Sequence, residues 1–72
     1  MNYSGKKEYR MPLIEVHMIE GRTAEQKKAL LTAITDAVHE SIGSPLPTIR
    51  VWIQEMSKKE YMVAGRLAEE YK

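Results

Sequence analysis

The chain has 72 residues, 43% hydrophobic and 29% charged, with a formal charge of +1, and a domain this short buries only about 60% of the surface its unfolded form exposes. It has no cysteine and two histidines, His17 and His39, so neither a disulfide framework nor a Cys/His zinc site can supplement the marginal core, and association with other chains remains. Near-neutral charge excludes the concentrated basic face of a nucleic-acid binder. No apolar run approaches the ~18 residues of a membrane span or forms a signal peptide, which makes a soluble, cytoplasmic protein the expectation.

Residues 1–11 read as an extension. Met1 to Arg10 is polar, contains Gly5 and has neither helical nor strand periodicity, the composition of a mobile tail. The folded domain is expected over 12–72. From Pro12 to Ile19, Ile14, Val16 and Met18 alternate with Leu13, Glu15 and His17, the period-2 pattern of a strand with one apolar face. Glu20-Gly21 breaks the pattern. Thr23-Ala24-Glu25-Gln26 then matches a capping box, in which Thr23 and Gln26 satisfy free amides at a helix start.

Leu30, Leu31, Ile34, Ala37, Val38 and Ile42 recur at spacings of three and four, and Gly43 stands where a left-handed cap is expected, so about twenty residues are helical. Ser44-Pro45-Leu46-Pro47 forbids continuation. Ile49, Val51 and Ile53 then alternate with Arg50, Trp52 and Gln54 as a second strand. Two strands joined by a helix of this length imply a parallel pair with a right-handed crossover. The fold class is therefore α/β, a single β-α-β unit with the helix on one face. Its open sheet face and edges require other subunits. Beyond Met56, Tyr61-Met62-Val63 reads as a short C-terminal strand or hairpin, and Ala64 to Tyr71 has too few apolar positions for a helix. This segment is expected to reach onto a neighbouring chain.

Most enzyme signatures are missing: there is no Gly-rich phosphate loop, nucleophile-elbow serine, cysteine nucleophile or paired-histidine metal motif. Several pieces nevertheless stand together. Pro12-Leu13-Ile14-Glu15-Val16, Glu20-Gly21-Arg22-Thr23 followed by Glu25-Gln26-Lys27, and Arg50-Val51 with Ile53 and Glu55-Met56 jointly resemble the 4-oxalocrotonate tautomerase family over residues 12 to about 68. The resemblance implies a homohexamer that interconverts enol and keto forms of unsaturated 2-oxo acids, without a cofactor or a metal, in the degradation of aromatic compounds. A dienol such as 2-hydroxymuconate is the implied substrate, and related family activities include dehalogenation and hydration of unsaturated acids.

In that family an N-terminal proline is the base, and Pro12 matches it. By the same resemblance, Arg50 of a neighbouring subunit contacts the 2-oxo or hydroxyl oxygen and the adjacent carboxylate, while Arg22 grips the far carboxylate. Planar guanidinium groups suit a dicarboxylate through bidentate hydrogen bonds. Tyr61 occupies the place of an aromatic residue, usually Phe, that keeps the pocket apolar. The proline role has a covalent condition: a prolyl nitrogen inside a chain is an amide, which is no base. Translation from Met11 followed by methionine removal leaves a free Pro12 amine, and residues 1–10 are then a translated leader. With Pro12 acylated, the alternative is an oligomeric carboxylate-binding subunit without catalysis.

Other residues receive structural roles. His17, on the face opposite Ile14, is a packed or interfacial histidine, and His39 is solvent-facing. Trp52 serves an intersubunit contact. Glu20, Glu55, Lys58 and Lys59 are solvated charges at turns and strand ends.

Overall fold

The structure, a computed structural model, describes residues 11–70, so the expected mobility of Met1 to Arg10 lies outside the described residues. β1 (Leu13–Ile19) and β2 (Arg50–Met56) pair in parallel, and α1 (Ala24–Ile42) crosses between them. Leu13 lies opposite Arg50, and Ile19 opposite Met56. Strand side chains alternate between faces, so Ile14, Val16 and Met18 share the helix side with Val51, Ile53 and Glu55. Leu13, Glu15 and His17 share the open side with Arg50, Trp52 and Gln54.

Local chemistry sets both ends of α1. Thr23 Oγ1 accepts from the Gln26 amide at 3.1 Å, and the Thr23 amide donates to Gln26 Oε1 at 3.0 Å, so the expected capping box is complete. At the other end Gly43 takes φ 76°, and its amide donates to the His39 carbonyl at 3.0 Å. A glycine bears that left-handed conformation without the strain a Cβ would bring. The His39 ring is engaged as well: its Nδ1 lies 2.7 Å from the Ser44 carbonyl, which fixes the turn out of the helix. Pro45 then leads into a short 3-10 turn, Leu46–Thr48, that delivers the chain to β2.

On α1, Leu30, Leu31, Ile34 and Val38 are half-buried against the sheet, whereas Ala37 and Ile42 are exposed. Across the described residues Ser44 alone is buried, at 6% exposure. Among the described residues no apolar side chain is fully buried within the chain. On the sheet's open side Leu13 is 66% exposed and Trp52 42%, so the missing burial has an evident location.

The C-terminal part is a hairpin. β3 (Met62–Val63) and β4 (Arg66–Leu67) pair antiparallel, Met62 opposite Leu67 and Val63 opposite Arg66. Their two-residue loop has φ 54° at Ala64 and 83° at Gly65, positive at both central positions as in the type I′ turn that matches strand twist. A 3-10 turn, Ala68–Glu70, follows. The hairpin is a separate sheet from β1–β2, and its Met62 and Val63 are exposed.

Candidate active site

Pro12 stands at the entrance of β1 and is half-buried. Its carbonyl accepts the Arg50 amide at 3.1 Å, one step before the first paired residues of the ladder. The parallel register thus carries Arg50 to the same end of the sheet as Pro12. The Arg50 side chain turns back to the preceding loop, where Nη1 donates to the Pro47 carbonyl at 2.7 Å. This end of the subunit has a proline nitrogen and an exposed guanidinium whose positions are both set by backbone hydrogen bonds.

Arg22 lies beyond the opposite end of β1, in the turn leading to α1. It lines a cavity of about 300 Å³ with Met18, Gln26, Lys27 and Leu30. Met18 and Leu30 make an apolar floor, while Gln26, Lys27 and Arg22 supply polar groups. At ~3.3 Å per strand residue, the length of β1 separates Pro12 from Arg22 by about 20 Å. One chain therefore cannot bring these two residues onto one small molecule.

Tyr61 precedes β3, is 40% exposed, and accepts the Ala68 amide at its carbonyl at 2.8 Å. Its ring belongs to the separate hairpin unit. The structure thus sets the Pro12 and Arg50 backbones side by side, with the Arg50 side chain turned back to Pro47, and places Arg22 and Tyr61 elsewhere in the chain.

One feature near Arg22 escaped sequence reasoning. Lys27 Nζ donates to Glu55 Oε2 at 3.1 Å, joining the first turn of α1 to the end of β2. Glu55 is thus exposed, as expected for it, and paired as well. The signal was present in its parity: Glu55 follows Val51 and Ile53 on the helix side, where a carboxylate needs a partner. His17, on the open side, lies 3.6 Å from Glu15. Among the described residues, no group of three or more His, Cys, Asp or Glu side chains is placed to hold a metal ion, and no helix is long and apolar enough to cross a membrane.

These observations define a small α/β subunit with basic residues at both ends of a two-stranded parallel sheet and a large uncovered face. The chain belongs to the tautomerase family, whose model, described as "Tautomerase enzyme", matches residues 12–71. It is 45% identical over 60 residues to a 2-hydroxymuconate tautomerase of Pseudomonas putida, covering 83% of this chain and 95% of that one. Its fold matches TomN, a 4-oxalocrotonate tautomerase homologue in the tomaymycin biosynthetic pathway, with TM-score 0.79 and 39% identity over 82% of this chain and 91% of that one. A heterohexamer 4-oxalocrotonate tautomerase from Chloroflexus aurantiacus gives TM-score 0.80 and 34% identity, covering 86% and 100% of the two chains. The chain is thus a 4-oxalocrotonate tautomerase-like enzyme, an isomerase, and the expected β-α-β class with a short C-terminal hairpin is the observed one.

Proposed function

We propose that this enzyme converts 2-hydroxymuconate-like dienols into unsaturated 2-oxo acids, with the Pro12 amine as the base and no cofactor. The amine takes the proton of the 2-hydroxyl, the oxygen becomes a carbonyl, the conjugated double bonds shift, and the resulting ammonium returns the proton to a distant carbon. Arg50 of a neighbouring copy faces the 2-oxygen and its adjacent carboxylate, where a fixed positive charge favours the electron-rich intermediate. Arg22 of another copy holds the far carboxylate, and Tyr61 covers the apolar side of the pocket.

A single observation carries this reading: Pro12 and Arg22 lie at opposite ends of β1, so a site containing both is assembled between subunits. Such assembly also covers the exposed Leu13 and Trp52. We infer a homohexamer, in keeping with the heterohexamer named among the relatives. The cytoplasm and the breakdown of aromatic compounds are the proposed setting.

The functional chain begins at Pro12 in this reading, supported by a family match that also begins there. Enclosure by apolar side chains and neighbouring guanidinium groups both disfavour a prolyl ammonium, which poises the amine to accept a proton near neutral pH. With Met11 still attached, Pro12 nitrogen is an amide and the same assembly binds carboxylates without turnover. Ultraviolet monitoring of 2-hydroxymuconate ketonisation by protein beginning at Pro12 tests the proposal. Turnover lost in Pro12→Ala and Arg50→Ala is expected; an Arg50→Ala variant as fast as its parent would overturn the assigned site.

A further inference from the structure

We propose that the Lys27–Glu55 ion pair is a positioning device that keeps the Arg22 guanidinium free for a ligand carboxylate. This inference rests on the reading of Arg22 as the group that holds the far carboxylate. Three observations lead to it. Lys27 and Arg22 line the same cavity. Glu55 closes onto Lys27 at 3.1 Å, with about a third of each side chain exposed (30% and 34%), a shorter and drier pair than Arg66–Glu70 at 3.7 Å. Among the described residues, no hydrogen bond or ion pair holds the Arg22 side chain.

The consequence is a division of charge. Glu55 lies beside Met18 in the strand register, and Met18 is part of the cavity floor, so the carboxylate sits at the edge of the space that Arg22 serves. Lys27 occupies that carboxylate. The pair contributes nearly no net charge, and the cavity's positive character falls to Arg22 alone. Without the Lys27 ammonium, the Glu55 carboxylate becomes an unpaired anion at the edge of the cavity that Arg22 lines. It then competes with the ligand's carboxylate for Arg22 and repels it. Without the Glu55 carboxylate, Lys27 becomes a second cation in the cavity, and a dianionic ligand gains attraction. The two halves of one pair therefore act on dicarboxylate binding in opposite directions, which a purely structural bridge does not do.

Calorimetric binding of trans,trans-muconate, a dicarboxylate lacking the 2-hydroxyl and so inert to ketonisation, tests this on protein beginning at Pro12 alongside steady-state kinetics. In Lys27→Met the muconate Kd and the KM for 2-hydroxymuconate rise by about tenfold, with kcat within about twofold. The KM for the monocarboxylate dienol 2-hydroxypenta-2,4-dienoate stays at the parent value. Lys27→Arg retains parental constants, Glu55→Gln binds muconate more tightly than the parent, and Lys27→Met/Glu55→Gln returns the Kd to within about twofold of the parent.

Equal muconate affinity in Lys27→Met and the parent overturns the inference. So does a double variant as weak as Lys27→Met, which makes Lys27 itself the ligand, a parallel loss with the monocarboxylate, or absence of muconate binding to the parent. A parent that binds muconate with this pattern but turns over no dienol overturns the tautomerase substrate and leaves the role of the pair standing.

Discussion

The Arg50 amide donates to the Pro12 carbonyl at 3.1 Å, so the residue proposed as the base is held through its own backbone by an arginine whose side chain is proposed to serve a neighbouring copy's site. The bond uses the carbonyl and leaves the prolyl nitrogen untouched. Removing everything before Pro12 therefore preserves the ladder, and only the chemistry of the nitrogen changes.

Protein that retains residues 1–11 is expected to show the same helical circular dichroism and the same number of subunits as protein beginning at Pro12, with turnover at least about 10²-fold lower. Comparing the two preparations in the ketonisation assay checks this. Equal turnover by the longer form removes the amine from the mechanism.

If the site is shared between copies, two inactive variants can repair one another. Pro12→Ala and Arg22→Ala, each impaired alone, are expected to regain activity when unfolded together and refolded as a mixture. Random assembly places both intact residues at about a quarter of the sites. Recovery no greater than the sum of the separate variants means that both residues serve a site within one chain.

The open side of the sheet is the expected seat of association, through Leu13 and Trp52. Placing a charge there, as in Trp52→Glu, should lower the mass measured by analytical ultracentrifugation and lower the urea midpoint with it. An unchanged mass and midpoint would show that this face lies outside the interface.

Thr23 closes the capping box of α1, and Thr23→Ala is expected to cost about 1 kcal/mol in urea unfolding at fixed subunit concentration. Thr23→Ser keeps the hydroxyl and should stay close to the parent. Equal losses in both variants would take the effect away from the cap.

At the hairpin tip Ala64 has φ 54°, a conformation that costs an L-residue with a Cβ roughly 1–2 kcal/mol. Ala64→Gly relieves that strain while adding freedom to the unfolded chain, for a net gain of up to about 1 kcal/mol. A lower midpoint in Ala64→Gly than in the parent would contradict the strain.

Much of the fold was legible because its signals are local. The alternation around Ile14 and Val16, the Thr23–Gln26 box and the Gly43 cap each act within a few residues, and all three appear where their patterns stand. The hairpin was only half legible: its turn has Ala64 where Asn or Asp would have announced a type I′ loop. The His39 ring's attachment to Ser44 and the Lys27–Glu55 pair depend on where elements meet, which periodicity does not encode. The candidate site was legible as residue types rather than as a place, since its parts lie about 20 Å apart within the chain, at opposite ends of β1.

Ser44 is the only buried residue among those described, and the consequence is one of supply. Where the half-buried apolar residues complete their burial between copies, folding and assembly become a single concentration-dependent equilibrium. Dilution then acts as a denaturant. A cell that makes too few copies has fewer folded molecules, rather than the same number of weaker ones, and expression level sets the fraction of chains that fold.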